Sequence, residues 1–334
     1  MSILLTIAIP SNNRAELLDQ AIASVLAENQ DSEKLQIVVS DNSAGDSTAQ
    51  LIKTKYAQAD AVTYYRSLDA PSLDQNVHKV VTVSSGEYVW LFGDDDLIAP
   101  GFLAKLLDYL ERNRPDIVVL NSSSFVGNTV IEKIRCPIEG DRIYSESDDD
   151  EFLAHLGGYL TYIGAIVVRK SVWLANFKAE KLGTFFAHVN VMFSAKKGRS
   201  AHFIQEPAIQ MRVHSQTWTS KHFQIWNVGF PEIIWGLEGY SDDAKRAVIV
   251  RYPLRSIKRL LASRAYNRFD IKVCLEVLLT SNTAGWFAKS LGLMISVLPQ
   301  EVFRGMYSLF IRMVRTRHRN NFSPELALSQ LKRK

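Results

Sequence analysis

The chain has 334 residues, of which 47% are hydrophobic and 22% are charged, and its formal net charge is +4. This composition excludes a disordered or collagen-like chain, and the length allows two domains or one large domain with an appendage. The two cysteines, Cys136 and Cys274, exclude a disulfide framework and a four-cysteine zinc site, and we expect buried thiols in a reducing compartment.

The first 120 residues alternate short apolar runs with amphipathic helical patterns. The runs typical of buried strands are Leu4–Ile9, Leu35–Val39, Val62–Tyr65, Glu87–Phe92 and Asp116–Leu120. The helical patterns between them are Leu17–Leu26, a segment from Gly45 onward, Val77–Val83 and Pro100–Leu110. We expect Pro10 to stop the first strand. The alternation predicts an α/β fold, with a doubly wound, mostly parallel sheet and helices on both faces.

Small and polar residues follow three of these strands. The segments are Pro10–Asn12, Asp41–Ser43 and Asp94–Asp96. Ligands bind outside the carboxyl ends of the strands in doubly wound sheets. We therefore expect the three segments to face one crevice.

The strongest chemical signal is the run from Gly93 to Asp96, directly after an apolar strand. Three successive carboxylates repel one another, and a divalent cation would neutralise them. Oxygen ligands favour Mg²⁺ or Mn²⁺, which keep open positions for phosphate oxygens. A solvated acidic turn is the alternative. The sequence contains neither a P-loop nor a G-x-G-x-x-G motif, so phosphate binding would depend on the metal and on positive groups elsewhere.

The middle of the chain is less regular. We interpret Asp148–Glu151 as the acidic start of a helix, with a metal site as the alternative. The stretch Phe152–Val168 lacks Asp, Glu, Lys and Arg but is interrupted by polar residues, which favours a buried globular segment over a membrane span. Met1 leads directly into a strand without a basic leader, so no signal peptide is predicted.

Charge is unevenly distributed along the chain. Residues 1–239 contain 21 Lys and Arg against 29 Asp and Glu, whereas residues 240–334 contain 18 against 6. Basic and apolar residues interleave at helical spacing around 251–261 and 303–319. Such helices either lie on an anionic membrane or pack on the body with their charged faces in solvent. No recognised nucleic-acid module is visible, so nucleic acid is not expected as a partner.

The N-terminal motifs resemble glycosyltransferase family 2 over about the first 120 residues. The matching segments are Thr6–Arg14, Val39–Ser43 with Asp46 and Thr48, and Gly86–Phe92 before the Asp run. Within the family they look most like bacterial O-antigen transferases of the abequosyltransferase type, with weaker support from Thr161–Ala165 and Arg169–Trp173. The resemblance implies a GT-A fold and inverting transfer from a nucleotide diphosphate sugar.

The resemblance also assigns roles to single residues. Asp95 and Asp96 would bind the metal, with His214 of the segment Met211–Ser215 as a metal or phosphate ligand or else a surface histidine. The residues expected to contact the nucleotide sugar are Pro10, Asn12, Arg14, Asp41, Asn76 and Asp94. Asp41 would accept a hydrogen bond from a pyrimidine base. Family members usually have an acid where this chain has Gly93, which leaves the register of the metal motif open.

The catalytic base is missing from its usual place. Family members carry an acidic pair at the start of a helix, where this chain has Phe185–Asn190 without a carboxylate. Because a histidine that titrates near neutrality suits a general base, His188 is predicted to take the proton of the acceptor hydroxyl. A structural histidine is the alternative.

These features predict an inverting, metal-dependent sugar transferase that acts on a polyprenyl-linked oligosaccharide in bacterial surface polysaccharide (O-antigen) biosynthesis. We expect a GT-A domain of residues 1–239, with a nucleotide-sugar half at 1–120 and an acceptor half at 121–239, and a basic helical region at 240–334. The protein would be cytoplasmic and peripheral on the inner face of the plasma membrane. A metal-dependent nucleotidyltransferase and a catalytically degenerate nucleotide-sugar-binding protein are the alternatives.

Overall fold

The computed structural model describes residues 2–28, 33–195, 198–213 and 221–305. These residues form two compact units. The first unit lies within 1–216 and 233–248, and the second within 217–232 and from 249 onward. The predicted division after residue 239 falls inside the short segment 233–248, which belongs to the first unit.

Among the described residues, ten strands form one sheet, and helices of the first unit pack against it. The strands are β1 (Leu5–Ser11), β2 (Leu35–Asp41), β3 (Val62–Arg66), β4 (Tyr88–Leu91), β5 (Leu97–Ile98), β6 (Ile117–Val126), β7 (Thr129–Glu132), β8 (Arg142–Tyr144), β9 (Ile166–Arg169) and β10 (Ala201–Arg212). The helices are α1 (Ala15–Glu28), α2 (Ser47–Lys55), α3 (Leu73–Val83), α4 (Phe102–Asn113), α5 (Asp149–Leu156), α6 (Lys170–Asn176), α7 (Ala187–Ser194), α8 (His222–Gln224), α9 (Phe230–Trp235), α10 (Asp242–Val248), α11 (Ile257–Ala265), α12 (Ile271–Val273) and α13 (Trp286–Val297).

The strand order is β3-β2-β1-β4-β9-β6-β10-β5, with β7 beside β6 and β8 beside β10. β1 pairs in parallel with β2 on one side and with β4 on the other. Beyond β4 the sheet is mixed, because β9 runs antiparallel between β4 and β6, whereas β6 and β10 are parallel. The α/β class is confirmed, with a mixed sheet. The chain adds β2 and β3 on one side of β1 and then β4 on the other side, so the strand order reverses at β1. A crevice forms at such a point, between the carboxyl ends of β1 and β4.

The central strands are buried because helices cover both faces of the sheet. β1, β2 and β4 are buried along their whole length. Ile7 and Ile9 share one core with α1 and α4. Alternate strand residues face the opposite side, where α3 packs against β1 and β2 with Val77, Val80 and Val81 buried. The apolar runs thus predicted the layer of strands that positions the crevice.

Pro10 does not stop the first strand, contrary to our expectation, because β1 continues through Ser11. Alternate residues of a parallel strand direct their backbone groups to opposite neighbours, and the oxygen of Ala8 accepts from the N–H of Phe92 on the β4 side. Pro10 faces the same side, but pairing with β4 ends at Ala8. The missing N–H therefore costs no sheet hydrogen bond, and β1 extends until Ser11 lies opposite Asp41.

The middle of the chain completes the sheet of the first unit. The stretch Phe152–Val168 is mostly buried, as predicted, although His155 and Gly158 are exposed, and it includes most of β9, whose residues 166–168 are inaccessible to solvent. The segment Asp148–Glu151 forms the start of α5, with Asp148 at the N-cap and Asp149, Asp150 and Glu151 in the first turn. Acidic residues at this end complement the helix dipole, which confirms the predicted helix start.

The second unit has its own apolar core, which includes Phe223, Leu254, Phe269 and Leu278. Cys274 is buried in that core and Cys136 in the first unit, and both are free thiols, as predicted. Of the helices that the structure describes, none combines the length and the apolar character that crossing a membrane requires. The predicted basic helix at 303–319 lies mostly outside the described residues.

Candidate active site

Four side chains bridge the crevice between the carboxyl ends of β1 and β4. Ser11, the last residue of β1, donates from Oγ to Oδ2 of Asp94 at 3.0 Å. Arg14, just before α1, donates from Nη1 to Oδ1 of Asp94 at 2.9 Å and to Oδ2 of Asp95 at 2.8 Å. The structure thus brings together the predicted residues Arg14, Asp94 and Asp95, and it adds Ser11.

The segment Asp94–Asp96, which we call the acidic run, contains two carboxyl groups whose pKa is raised by burial. Asp94 is 7% exposed, and burial raises its pKa to about 6, against the opposing charge of Arg14 and with the support of Asp95. Asp96 is 2% exposed, and burial together with the charge of Asp95 raises its pKa to about 7. Carboxylates this close disfavour one another's charged form. The crevice therefore favours cations.

Asp96 is held by partners of its own. The hydroxyl of Tyr162 donates to Oδ2 at 2.5 Å, and the backbone N–H of Arg212 donates to Oδ1 at 3.2 Å. The carboxylate also lies over Gly93, where a Cβ atom would be 2.5 Å from Oδ2. Asp96 therefore occupies the space that a side chain at position 93 would need, which explains the glycine there.

Two further arginines lie close to the acidic run. Arg212, at the end of β10, donates from Nε to the backbone oxygen of Asp95 at 3.0 Å. The guanidinium of Arg135 lies 5.0 Å from the ring centroid of Tyr162, and its charge acts on Asp96. Guanidinium groups are the side chains that best match phosphate oxygens. Arg135 and Arg212 thus add positive charge beside the acidic run to that of the predicted Arg14.

The late segment Met211–Ser215 was expected near a diphosphate. Its described part reaches the acidic run through Arg212, which supports that interpretation. His214 lies outside the described residues. Its role stays a prediction.

The chemistry of the acidic run fits a divalent cation. One oxygen of Asp94 and one of Asp95 converge on a single cationic atom, Nη1 of Arg14. Mg²⁺ and Mn²⁺ prefer such oxygens and leave other positions to phosphate and water. Within residues 2–28, 33–195, 198–213 and 221–305, no group of three or more His, Cys, Asp or Glu side chains forms a metal cage. The described residues thus offer two carboxylates to a metal ion, which is only part of a full set of ligands.

Asp41 ends β2, opposite Ser11, and is fully buried. Its Oδ1 accepts from the backbone N–H of Ser43 at 2.9 Å. Its Oδ2 accepts from the hydroxyl of Tyr64 at 2.8 Å and from Nη1 of Arg66 at 3.4 Å. These contacts fix the carboxylate at the strand end, on the same edge of the sheet as the acidic run. Recognition of a base by Asp41 stays a prediction.

The loop after β1 is tied to the loop after β2. Nδ2 of Asn12 donates to the backbone oxygen and to Oδ1 of Asn42, at 3.1 and 2.8 Å. The N–H of Asn13 donates to Oγ of Ser43 at 2.6 Å. Asn13 has a φ of 55°, a left-handed conformation that asparagine adopts more readily than most residues. The loops that follow these two strands lie together, as the strand pattern predicts.

Asn76 is buried on α3 with its amide fully engaged. Its Oδ1 accepts from Oγ of Ser40 at 2.6 Å. Its Nδ2 donates to the backbone oxygen of Ser40 at 3.0 Å and to that of Ser11 at 3.4 Å. We therefore interpret Asn76 as a residue that positions the ends of β1 and β2, whereas its direct contact with a nucleotide sugar stays a prediction.

His188 lies in the first turn of α7 and is 3% exposed. Burial lowers its pKa to about 4, although hydrogen bonding to the backbone of Leu160 and Thr161 opposes this shift. Its Nε2 is buried and has no hydrogen-bond partner among the described residues. Of the hydrogen bonds between described residues, none links His188 to the acidic run. The imidazole is thus neutral at physiological pH and keeps one unused lone pair.

The start of α7 meets a carboxylate that sequence reasoning missed. Oδ2 of Asp74, on α3, accepts from the backbone N–H of Phe185 at 2.9 Å, and Oδ1 accepts from that of Ala187 at 3.3 Å. Burial raises the pKa of Asp74, and the backbone N–H groups around it oppose the shift. Asp74 precedes Phe185 by 111 residues, so no local motif could reveal the contact.

Comparison with known proteins gives one family and two curated relatives. Residues 6–156 match the profile of glycosyl transferase family 2. The abequosyltransferase RfbV of Salmonella typhimurium is 28% identical over 233 residues, which cover 65% of this chain and 69% of the relative. The GalNAc(5)-diNAcBac-PP-undecaprenol beta-1,3-glucosyltransferase of Campylobacter jejuni is 28% identical over 130 residues, 39% of each chain.

Solved structures share the fold at low sequence identity. TarS of S. aureus in complex with UDP-GlcNAc superposes with a TM-score of 0.53 at 13% identity, over 74% of this chain and 70% of that one. The mannosyltransferase PcManGT of Pyrobaculum calidifontis, in complex with GDP-Man and Mn²⁺, gives a TM-score of 0.52 at 15% identity, over 89% and 86%. The predicted GT-A fold is thereby confirmed.

Proposed function

Because the chain belongs to glycosyltransferase family 2, through a match over residues 6–156, we propose that this sugar transferase uses a nucleotide diphosphate sugar as its donor. The acceptor is a hydroxyl group of a lipid-linked glycan, and the anomeric carbon is inverted. The product belongs to a bacterial surface polysaccharide such as O-antigen. The names of the two curated relatives, an abequosyltransferase and a glucosyltransferase of a PP-undecaprenol glycan, support this choice.

The convergence of Ser11, Arg14, Asp94 and Asp95 at the carboxyl ends of β1 and β4 carries the proposal. Ligands of doubly wound sheets bind where the strand order reverses. A diphosphate is strongly anionic, and Arg135 and Arg212 add positive charge at this point. The crevice is therefore suited to a donor whose leaving group is a nucleoside diphosphate.

A divalent cation, when bound, would stabilise the negative charge that grows on the departing diphosphate. Asp95 is the residue that we expect to hold it. Asp94 is its better partner, since the two carboxylates already share one cationic neighbour. The sequence predicts Asp96 in this role as well, but its oxygens accept from Tyr162 and Arg212. We therefore assign Asp96 to the support of the run.

His188 is our candidate for the proton acceptor. Inverting transfer needs a group that takes the proton of the acceptor hydroxyl as its oxygen attacks the anomeric carbon. The neutral imidazole has an unpartnered Nε2, although its lowered pKa of about 4 makes it a weak base. His188→Ala should abolish most turnover and leave nucleotide affinity near that of the wild type. Near-normal turnover would exclude this role.

The donor class can be tested by thermal shift with nucleoside diphosphates, with Mn²⁺ or with chelator. Bound ligand raises the melting temperature according to its affinity. We expect one diphosphate to stand out, its shift to need Mn²⁺, and Asp95→Asn to lose the effect. Transfer from the matching nucleotide sugar to a polyprenyl-linked oligosaccharide then tests the reaction. Full activity in excess chelator would contradict the metal assignment.

A catalytically degenerate nucleotide-sugar-binding protein is the second candidate. It is favoured by the lack of a carboxylate within 185–190 and by the burial of His188. Such a protein would bind the donor without turnover on any acceptor. An active enzyme would hydrolyse the donor slowly even without an acceptor. Measuring that hydrolysis therefore separates the two candidates.

A further inference from the structure

One side of α13 exposes several large apolar side chains around the exposed Ser290. Trp286 is 79% exposed, Phe287 56%, Met294 59% and Val297 65%. Leu293 and Leu298 are exposed as well, and we call these six residues the α13 face. Single exposed apolar residues are normal on a protein surface, whereas contiguous apolar patches of this kind mark interaction sites.

The opposite side of α13 is already occupied by the core of the second unit. Ala288, Gly292 and Ile295 are buried there. A Cβ atom at Gly292 would collide with the side chain of Leu278, so the helix packs as closely as its backbone allows. The single charged residue of the helix is Lys289, and its Nζ donates to the backbone oxygen of Leu279 at 2.7 Å. Ser290 and Ser296 bond their hydroxyl groups to backbone oxygens of the same helix, so the helix is otherwise apolar on both sides.

A helix that is apolar all round is found inside a protein core or in contact with lipid. With 12 residues, α13 is about 18 Å long, too short for a hydrocarbon layer of about 30 Å. Its remaining option in lipid is to lie in the plane of the interface, with one face in the headgroup and acyl boundary. Exposed tryptophan is enriched at that depth.

The charge of the surrounding chain indicates which surface would bind. Residues 249–305 contain nine Lys and Arg against three Asp and Glu. Basic residues near a membrane are attracted to anionic lipid headgroups. We propose that the α13 face docks the second unit onto an anionic lipid bilayer. The proposal deepens the proposed function, on which it rests for its biological meaning, because a lipid-linked acceptor lies in such a bilayer.

The test is flotation of the full chain with vesicles of phosphatidylcholine and phosphatidylglycerol, and with phosphatidylcholine alone. The test variant is Trp286→Ser with Met294→Ser. Its matched control, Leu68→Ser with Ile143→Ser, removes apolar side chains that are 63% and 68% exposed on the first unit. We expect wild type and control to float with the anionic vesicles and the test variant to bind at least about tenfold more weakly.

A second variant guards against a loss of binding through misfolding. Trp286→Phe keeps an apolar ring, so flotation should persist while quenching of tryptophan fluorescence by brominated lipid falls. Unchanged flotation of the Trp286→Ser, Met294→Ser variant would overturn the proposal. The proposal would also be overturned if wild type did not float and formed a dimer that the Trp286→Ser, Met294→Ser variant does not form. A second copy would then cover the face. Shielding of the Trp286 indole from a soluble quencher without vesicles, taken as the difference between wild type and Trp286→Phe, would overturn the proposal too, because the chain itself would then cover the face.

The same samples separate this proposal from the donor assignment. The nucleoside diphosphate shift should be equal in wild type, control and test variant, because the substitutions lie outside the crevice residues. Loss of flotation with a retained shift concerns the α13 face alone. Flotation without any nucleotide shift would instead refute the donor.

Discussion

Arg14 is the positive charge that lies between Asp94 and Asp95, at 2.9 and 2.8 Å. A divalent cation would need the same oxygens, so the guanidinium and the metal compete for them. Charge-assisted hydrogen bonds of this kind contribute roughly 1.5–3 kcal/mol. Metal binding is therefore expected to displace Arg14 and to free it for the phosphates of a donor.

Arg14→Gln should bind Mn²⁺ about tenfold more tightly than wild type in isothermal titration, because the competing charge is gone. Its affinity for a nucleoside diphosphate should fall at the same time. Arg112→Gln is the control, since Arg112 is exposed and pairs with Asp108 on α4 instead. Equal or weaker Mn²⁺ affinity of Arg14→Gln would show that no competition exists.

Gly93 is required by the position of Asp96. In Gly93→Ala the new Cβ would lie 2.5 Å from Oδ2 of Asp96, and this buried carboxylate is held by Tyr162 and Arg212. We expect a loss of about 1–3 kcal/mol of stability and of the nucleotide-dependent thermal shift. Gly45→Ala is the control, because nothing lies within 4 Å of its Cβ position. A Gly93→Ala protein that melts like this control would contradict the close contact.

The residues of the crevice differ in how far the sequence reveals them. Asp94 and Asp95 are adjacent and follow an apolar strand, so their pattern alone indicates a cation site. Tyr162 lies in Thr161–Ala165, a segment that the family resemblance singled out without a role. Arg135 belongs to no motif, since its place depends on contacts with rings that are distant in the chain.

The contact between α3 and α7 places a buried carboxylate at a helix start. α7 begins at Ala187, and its leading N–H groups would lack partners without the oxygens of Asp74. The preceding Phe185 has a φ of 66°, a strained conformation for an aromatic residue. Asp74 thus fixes the turn that carries His188 into its buried site.

Asp74→Ala should lower the free energy of unfolding by about 1–3 kcal/mol, because two buried N–H groups lose their acceptor. Asp74→Asn, which keeps one carbonyl oxygen, should lose less. Asp69→Ala is the matched control, as its exposed pair with Lys79 contributes about 1 kcal/mol or less. Thermal melts would measure all three. A ranking with Asp69→Ala as the most damaging change would refute the capping role of Asp74.

At the level of elements, the sequence was informative where strands are continuous apolar runs. β1, β2 and β4 satisfy this condition because both faces are buried. β10 does not, since Gln205, Glu206 and Pro207 interrupt it and shift its register against β6. Pro10 led to a wrong prediction of the strand end. The pairing of β1 with β4 stops at Ala8, and no local sequence pattern encodes where that pairing stops.

At the level of the molecule, the change from an acidic to a basic sequence near residue 240 lies close to the start of the main segment of the second unit at residue 249. The acidic part carries the crevice, and the basic part from residue 249 forms most of the second unit. The sequence could not find the boundary more closely, because residues 217–232 join the second unit while 233–248 join the first. Such an exchange of segments follows from packing and leaves no change in composition.

Each unit also contains a histidine whose pKa is lowered in the folded state, namely the buried His188 and the half-buried His222. Burial lowers the pKa of His188 to about 4 in the first unit. In the second, burial and the charge of Arg268 lower the pKa of His222 to about 3, and Nη1 of Arg268 lies 2.8 Å from its Nε2. Both values lie below the 6.5 of an unfolded imidazole. Protonation therefore favours the unfolded state, and stability that is complete above pH 6.5 is lost as the pH falls toward these values.

Between pH 7 and pH 5, His188 alone should cost the first unit about 2 kcal/mol, since the unfolded histidine gains its proton and the folded one does not. Asp94 and Asp96 act in the opposite sense over this range, because burial raises their pKa values to about 6 and about 7, so their protonation favours the folded state. Between pH 7 and pH 5, His188→Gln and His222→Gln should each lose less stability, or gain more, than wild type, even where the substitution lowers stability at pH 7. The difference in melting temperature between the two pH values, measured for each protein, isolates the effect from the cost of the substitution. The same change in melting temperature in both variants as in wild type would mean that carboxylates, rather than these two imidazoles, govern the acid side of the stability curve.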